Sequence, residues 1–357
     1  MIRGKPLSVN PPLQDSHSLF FEFFGQRCPN SVARLEIDVS KPDVLAVAKL
    51  HPFYLQALAS VYTVHDRTHI TDPSAFAALA PRIVGVAGTG ESSVPRSLLA
   101  QVPNAKVVSV FGVGYDGVDV QAAIEHGIPV THTPDVLTDD VADLALGLVL
   151  SVGRTIPQAD QFVRAGQWPA GPIALGRKVS GARMGIVGLG RIGKAIARRA
   201  SGFGMSIAYT ARSEKPDSGF EFFATPAELA ANVDFLVVIT PGGTGTKHLI
   251  NAEVLQALGP RGFLINVARG SVVDETALIA ALQNGTIAGA GLDVFANEPN
   301  VPEALWAMPN VVLTPHMASA TTETRQAMAD LAFANMQAGT SDQPLRTPVP
   351  ECTAMVK

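Results

Sequence analysis

Three glycines in the middle of the chain have a spacing that suits phosphate binding. Gly188, Gly190 and Gly193 follow an apolar run at residues 184–187 that is typical of a buried strand, and a helical pattern begins at Arg191. Such glycines permit a tight turn, a close approach to a pyrophosphate and close packing of helix on strand. The helix N-terminus offers N–H groups to the phosphates. The segment therefore predicts a dinucleotide-binding site; the alternative is a purely structural turn.

The residues after the next strand predict which dinucleotide is bound. Proteins that prefer NAD typically have an acidic residue about 20 positions beyond the glycines, where it bonds the ribose and repels a 2′-phosphate. Here the strand at 206–210 is followed by Ala211, Arg212 and Ser213, with Lys215 nearby. A guanidinium and a hydroxyl predict NADPH as the preferred cofactor, with NAD possible. The alternative is that Arg212 stacks on the adenine and tolerates both.

Length and charge limit the kinds of protein this chain can be. With 357 residues it exceeds what one hydrophobic core usually serves, so we expect two domains. Hydrophobic residues make up 47% and charged residues 16%, which favours a compact chain over a disordered one. A formal net charge of -4 argues against nucleic acid or an anionic membrane as a partner.

Cysteine usage and the N-terminal segment bear on location. Cys28 and Cys352 lie far apart and in no ligand-like spacing, which suggests free thiols, a reducing compartment, a cytoplasmic protein and no metal site. No apolar run reaches the roughly 20 residues of a spanning helix. Residues 1–40 are interpreted as a loosely ordered extension, which leaves open whether they are native, a tag or a transit segment.

Strands alternate with helices along most of the chain, which predicts parallel βαβ units and an α/β fold with two doubly wound parallel-sheet domains. One sheet precedes residue 138 and one begins at 184. Residues 138–164 are expected to form one long helix between the domains, and the loop at 166–176 could be an arm to a second subunit. The tail at 344–350 is expected to be a strap or disordered.

Six ordered segments resemble the D-isomer-specific 2-hydroxyacid dehydrogenases, particularly the glyoxylate/hydroxypyruvate and hydroxyphenylpyruvate reductases. The resemblance covers about residues 44–347. The segments are 111–119 (FGVGYDGVD), 133–143 (TPDVLTDDVAD), the glycine motif, 264–274 (LINVARGSVVD), 289–299 (GAGLDVFANEP) and 313–320 (LTPHMASA). The resemblance implies a Rossmann dinucleotide-binding domain at 138–320, inserted into a discontinuous flavodoxin-like substrate domain at 41–137 plus 321–350.

The family's catalytic Arg, Glu and His fall on Arg269, Glu298 and His316. Reducing a 2-oxo acid moves a hydride to the carbonyl carbon while charge grows on the oxygen, so a cation and a proton donor are needed. The resemblance implies that Arg269 supplies the first and His316 the second, with Glu298 raising the histidine pKa. Taken singly, each has a structural alternative: a strand cap, an exposed turn residue and a satisfied buried histidine.

The resemblance also implies the remaining ligand contacts. Backbone N–H groups of Gly88, Thr89 and Gly90 would hold the substrate carboxylate together with Arg269, although a tight turn between strand and helix is the alternative. Asp293 would face the nicotinamide amide, and Ala318 stands where glycine is frequent. The other cofactor contacts are expected at Gly188, Leu189, Gly190, Arg191, Ile192, Gly193, Ala211, Arg212, Ser213, Thr240 and Val267.

The family implies an NADPH-preferring oxidoreductase that reduces glyoxylate, hydroxypyruvate or an aryl pyruvate to the D-2-hydroxy acid, with His316 as proton donor. We expect a homodimer that buries residues 138–164 and the following loop. The alternative is a non-catalytic, dinucleotide-dependent, co-repressor-like binding protein, because this fold does not fix function. A third reading is an enzyme of the same fold that acts on formate or phosphite, which the segment around His316 resembles less.

Overall fold

The computed structural model describes residues 41–355. The predictions made for residues 1–40, including the free thiol of Cys28, lie outside the described residues. Within 41–355 the strands form two parallel sheets, each with helices packed around it. We call the first sheet with its helices the first lobe, and the second sheet with its helices the second lobe.

The strands are short and mostly buried, as expected for parallel sheets covered on both faces. They are β1 Asp43–Ala46, β2 Thr63–Asp66, β3 Ile83–Thr89, β4 Val108–Phe111, β5 Val130–Thr131, β6 Arg183–Val187, β7 Ser206–Thr210, β8 Glu221–Phe222, β9 Phe235–Val238, β10 Phe263–Asn266, β11 Gly289–Leu292 and β12 Val311–Leu313.

The helices fall between the strands and after the last one. They are α1 Pro52–Val61, α2 Thr68–Thr71, α3 Pro73–Leu79, α4 Arg96–Leu99, α5 Val120–Glu125, α6 Thr138–Gly153, α7 Ile156–Arg164, α8 Arg191–Ser201, α9 Pro226–Ala231, α10 Ala252–Leu258, α11 Glu275–Gln283, α12 Glu303–Trp306 and α13 Thr322–Thr340. None of these helices is both long enough and apolar enough to cross a membrane.

The first sheet has the order β2-β1-β3-β4-β5, with every pair parallel. This is the strand order of flavodoxin-like folds. The last long helix, α13, covers this sheet: the Ser109 hydroxyl donates to the Ala332 carbonyl at 2.8 Å. A Cβ at Gly85 would lie 2.4 Å from the Met336 sulfur, which shows how closely the helix approaches the strand.

The second sheet has the order β12-β11-β10-β9-β6-β7-β8, again with every pair parallel. Strands β6 to β8 are added toward one side of the sheet and β9 to β12 toward the other, so the boundary between β6 and β9 is the switch point of a Rossmann fold. Helix α6 packs on one face, where a Cβ at Gly291 would lie 3.0 Å from Leu148 Cβ. The prediction of two doubly wound parallel-sheet domains is confirmed.

The prediction of one continuous helix over 138–164 was wrong. Helix α6 ends at Gly153, and α7 begins at Ile156 after Thr155, whose backbone is left-handed with φ 50°. Pro157 stands in the first turn of α7, where its missing N–H costs nothing but where it cannot continue an earlier helix. The two helices therefore differ in surroundings: α6 buries eight residues, and α7 buries none.

The C-terminal tail is a strap and not a disordered segment. Pro348 forms an antiparallel bridge to Thr131, and the Val349 N–H donates to the Val130 carbonyl at 2.9 Å. The buried Asn335 of α13 accepts from the Thr347 N–H at 3.1 Å. The strap and α13 thus complete the first lobe, which supports a discontinuous first domain; the boundaries at 137–138 and 320–321 stay a prediction.

Candidate active site

The glycine turn after β6 is built as its spacing predicts. Gly188 has φ +106°, and a Cβ there would lie 2.9 Å from the Ile239 carbonyl oxygen. A Cβ at Gly193 would lie 2.1 Å from the Gly188 oxygen, so α8 could not approach β6 with a larger residue. Gly190 has nothing within 4 Å of its Cβ position. Two of the glycines therefore make the turn, and the third leaves open space at the N-terminus of α8.

Most predicted cofactor residues lie at one edge of the second sheet. Leu189, Arg191 and Ile192 belong to the glycine turn, Thr240 follows β9, and Val267 follows β10. Parallel strands place their carboxyl ends at the same edge, and ligands of this fold bind there, at the switch point. Gly190 is the N-cap of α8, and the first N–H groups of a helix have no partner within it and can bind an anion. The residues present fit a dinucleotide pyrophosphate.

Ala211, Arg212 and Ser213 follow β7 at the same edge, with Arg212 and Ser213 exposed. The Gly188 N–H donates to the Thr210 carbonyl at 2.9 Å, which places this loop directly beside the glycine turn. No acidic residue lies among positions 210–213. Burial raises the pKa of Tyr115 in the first lobe to about 12, and the Arg212 guanidinium acts against that shift. The charge of Arg212 therefore lies near enough to the first lobe to act on Tyr115.

The predicted catalytic residues follow three strands that are neighbours in the sheet. Arg269 comes three residues after β10, Glu298 follows β11, and His316 comes three residues after β12. The loop of Arg269 is fixed by buried Asn266, whose side-chain amide donates to the Arg269 carbonyl at 3.0 Å and accepts from the Ala268 N–H at 3.1 Å. A single sheet edge thus presents all three side chains to the cleft.

His316 and Glu298 form a hydrogen-bonded pair. His316 Nδ1 lies 2.7 Å from Glu298 Oε2, and the other carboxylate oxygen accepts from the Phe295 N–H at 2.9 Å. The bond to Glu298 raises the pKa of His316 above its ordinary value, against the effect of burial. Burial alone would raise the pKa of Glu298, but the bonds from His316 and Phe295 outweigh it, so that pKa is lowered. The pair therefore favours an imidazolium beside a carboxylate.

The backbone of His316 is left-handed, with φ 49°. Such a conformation is uncommon for residues other than glycine and persists only where surrounding contacts enforce it. The His316 N–H donates to the Asp293 carbonyl at 2.8 Å, and the Asp293 carboxylate accepts from the N–H groups of Met317 (2.8 Å) and Ala318 (2.9 Å). Burial raises the pKa of Asp293. Asp293, predicted as a cofactor contact, thus also shapes the histidine loop.

Arg269 reaches across the cleft to the first lobe. Its Nε lies 3.3 Å from Asp116 Oδ1 and 3.7 Å from Glu91 Oε1. Glu91 Oε1 also lies 3.9 Å from His316 Nδ1, so it is a common neighbour of Arg269 and His316. Arg269, Glu298 and His316 are thus brought together, and their catalytic roles stay a prediction.

The predicted substrate loop adjoins Arg269 through one of its three residues, and its role in substrate binding stays a prediction. The Thr89 N–H donates to the Ser92 hydroxyl at 2.7 Å, so it is not free for a carboxylate. Gly88 is the last but one residue of β3 and is buried beside Ser92. Gly90 faces the site, since its Cβ position lies 3.1 Å from Arg269 Nη2. Of the three predicted residues, Gly90 alone adjoins the guanidinium.

Sequence reasoning gave no role to the turn after β4, although segment 111–119 was part of the family resemblance. A Cβ at Gly114 would lie 2.0 Å from Arg269 Nη2, and Asp116 is paired with that residue. Glu91 and Asn266 were missed as well. Only the residue types of Gly114 and Asp116 could have marked them as site residues, because their closeness to Arg269 depends on how the two lobes pack together.

A cation site is the other chemistry that this cluster suggests. Ligand atoms of Glu91, Glu298 and His316 lie within 4.8 Å of one another. His316 Nδ1, however, is committed to Glu298, and exposed carboxylates cluster without a metal in many proteins. The expectation that no metal is bound stays a prediction.

Comparisons with known proteins agree with this geometry. Residues 146–318 match the model of the D-isomer specific 2-hydroxyacid dehydrogenase NAD binding domain. The chain is 50% identical to hydroxyphenylpyruvate reductase of Plectranthus scutellarioides over 76% of this chain and 86% of that protein. It is 44% identical to 2-ketogluconate reductase of Gluconobacter oxydans over 87% of this chain and 99% of that protein.

A solved structure is similar over nearly its whole length. The NADPH-dependent glyoxylate/hydroxypyruvate reductase of Sinorhizobium meliloti, in complex with NADP and malonate, has a TM-score of 0.80 and 49% identity; the match covers 87% of this chain and 98% of that one. The chain therefore belongs to the D-isomer-specific 2-hydroxyacid dehydrogenase family, and it is an oxidoreductase that uses NAD(P).

Proposed function

We propose that this enzyme reduces a small 2-oxo acid to the D-2-hydroxy acid with NADPH, and that Arg269, Glu298 and His316 are its catalytic residues. The observation that carries the proposal is the His316–Glu298 pair, 2.7 Å apart, at the same sheet edge as the glycine turn. A proton donor and a dinucleotide site that open into one cleft are what carbonyl reduction requires.

Each residue contributes a separate step. The guanidinium of Arg269 binds the substrate carboxylate and orients the ketone, with Gly90 and Gly114 leaving room beside it. The cofactor, when bound, supplies the hydride. His316 Nε2 donates a proton to the carbonyl oxygen as negative charge grows there. Glu298, through Nδ1, keeps the imidazole oriented and stabilises its protonated form.

NADPH preference is supported by charge after β7. Arg212 is exposed in the loop beside the glycine turn, and positions 210–213 hold no carboxylate that would repel a 2′-phosphate. The similar enzyme of Sinorhizobium meliloti is described as NADPH-dependent and was solved with NADP. We therefore place Arg212 and Ser213 at the 2′-phosphate, with NADH as the weaker cofactor.

The substrate candidates are glyoxylate, hydroxypyruvate and aryl pyruvates. The names of the relatives include hydroxyphenylpyruvate, 2-ketogluconate and glyoxylate/hydroxypyruvate reductases. These substrates share a carboxylate and an adjacent ketone, which Arg269 and His316 would bind, and differ in the side chain.

The test is a substrate panel, followed at the nicotinamide absorbance with NADPH and with NADH. We expect turnover with at least one of glyoxylate, hydroxypyruvate, phenylpyruvate and 4-hydroxyphenylpyruvate, and a D-configured product. Absence of turnover with all four, in protein that binds NADPH, would favour the non-catalytic, co-repressor-like alternative.

We also propose a cytoplasmic homodimer that covers α7 and the loop after it. Helix α7 buries no residue, and large apolar side chains are exposed there: Val163 is 53% exposed, Trp168 67% and Leu175 100%. Exposed large apolar side chains so close together in sequence are a feature of association surfaces. Light scattering should give the mass of two chains, and Val163→Ser with Trp168→Ser should shift it toward one. Trp306→Ser, at an equally exposed tryptophan elsewhere (65%), is the matched control.

A further inference from the structure

Glu91 extends a carboxylate into the candidate active site from the first lobe. It lies in the turn after β3, its side chain is 44% exposed, and Oε1 lies 3.7 Å from Arg269 Nε and 3.9 Å from His316 Nδ1. Both distances exceed a hydrogen bond. The carboxylate is therefore close enough to act on charge in the site, yet it is not fixed by either partner.

The turn does not depend on the Glu91 side chain. The Thr89 N–H donates to the Ser92 hydroxyl at 2.7 Å, and the Ser92 N–H donates to the Thr89 carbonyl at 3.1 Å. The Gly117 N–H donates to the Gly90 carbonyl at 3.2 Å and ties the turn to its neighbour. A neutral residue at 91 should leave this backbone as it is.

The groups around Arg269 are rich in negative charge. Asp116 lies 3.3 Å from its Nε, Glu91 lies 3.7 Å away, and Glu298 is held by His316. Three carboxylates thus surround one guanidinium and one imidazole. A substrate with one carboxylate can exchange places with Glu91 or Asp116 at Arg269. Every further negative charge on the substrate is repelled by these carboxylates, because the turns that carry Glu91 and Asp116 keep both side chains near the site even when the substrate has displaced one from Arg269.

We propose that Glu91 is a specificity-determining residue, which disfavours 2-oxo acids that carry a second negative charge and leaves those with neutral side chains as preferred substrates. This inference rests on the proposed function. It names the substrate class as monoanionic 2-oxo acids, and it assigns the discrimination to a residue that takes no part in proton transfer.

The test compares Glu91→Gln with the parent enzyme, as full-length proteins with NADPH. Substrates are glyoxylate and hydroxypyruvate, with one negative charge, and oxaloacetate, with two. We expect the kcat/KM for oxaloacetate, relative to hydroxypyruvate, to rise by about tenfold, because a neutral amide removes one repulsion at roughly 4–6 Å. Glu91→Ala should give the same direction, and Glu253→Gln, an exposed acid on α10, should leave the ratio unchanged.

A binding measurement separates this inference from the proposed function. Oxalate and oxamate have similar shapes but carry two charges and one, and calorimetry with the NADP⁺-loaded protein gives their dissociation constants. Glu91→Gln should tighten oxalate about tenfold more than oxamate. Equal changes for both ligands, or none, would overturn the role of Glu91 even if the parent enzyme reduces glyoxylate. Unequal changes would support it even if none of the 2-oxo acids were reduced.

Discussion

The glycine turn and the catalytic cluster lie at the same sheet edge but are built from different parts of the chain. The turn is made mainly of backbone: Gly188 and Gly193 allow β6 and α8 to meet, and its charged residue, Arg191, is paired with Asp135 at 2.9 Å. The cluster is made of charged side chains from three strand ends, with Glu91 and Asp116 added from the opposite lobe. The cofactor should therefore depend on shape, and turnover on the placement of charge.

Replacing the histidine should have the largest effect and should separate the two regions. In His316→Ala we expect kcat to fall by about 100- to 10,000-fold, the usual contribution of a general acid, while the Kd for NADPH stays within about twofold. His316→Asn is the companion variant, because asparagine tolerates the left-handed backbone found here. Turnover near that of the parent in either variant at neutral pH would rule out His316 as the proton donor.

Cofactor choice tests the charged loop beside the glycine turn. Arg212→Ala should raise the KM for NADPH by about 10- to 150-fold, since charge-assisted bonds to phosphate have that strength, and should leave NADH kinetics nearly unchanged. Steady-state kinetics with both cofactors measure the ratio. Equal kcat/KM for NADH and NADPH in the parent enzyme would show that this loop does not select, without affecting the reaction assigned.

Two glycine variants test whether the turn acts through shape alone. Gly190→Ala places a Cβ in open space, so thermal unfolding should be unchanged while NADPH binding weakens by roughly tenfold. Gly193→Ala places its Cβ 2.1 Å from the Gly188 oxygen, so we expect a lower Tm as well. If Gly190→Ala bound NADPH as tightly as the parent, the pyrophosphate would not lie where we place it.

The smallest expected effect is a shift in the pH dependence of kcat/KM when Glu298 is replaced. The bond to Glu298 raises the pKa of His316, so the parent keeps its proton donor charged to a higher pH than a free histidine would. Reduction should decline as pH rises through that pKa. In Glu298→Gln the carboxylate is gone, and the decline in kcat/KM should begin at a lower pH. If the pH dependence of kcat/KM were the same in both proteins, a group other than the His316–Glu298 pair would control it.

Features built from neighbouring residues, such as the glycine turn, could be predicted from the sequence, whereas contacts between the two lobes could not. The glycine turn and the residue types at positions 210–213 each lie within one strand-turn-helix unit, and the alternation of strands with helices is visible along the chain, so these features were predictable. Arg269 and Asp116 are 153 positions apart, and their pairing depends on the meeting of two lobes. Glu91 belongs to no motif, which is why nothing in the sequence marked it.

The break between α6 and α7 shows a different kind of error. The apolar pattern over 138–164 was followed past Pro157, although proline in a helix interior removes a hydrogen bond and crowds the preceding turn. Pro157 indicated a break in the helix, but the helical spacing of the apolar residues was given more weight. The substrate loop shows a limit of another kind: the Ser92 hydroxyl accepts the Thr89 N–H, a side-chain contact that no spacing rule predicts, and the substrate role of the loop stays a prediction.

The covering of the first sheet by α13 and the C-terminal strap affects the order of events during synthesis. Strands β1 to β5 leave the ribosome first, but Ala332, Met336 and Pro348, which cover or pair with them, come after the whole second lobe. The second lobe is continuous in the chain and can complete its core earlier. The first lobe must therefore wait with an apolar sheet face uncovered, which makes it the half more exposed to aggregation and chaperone binding while the chain is still growing.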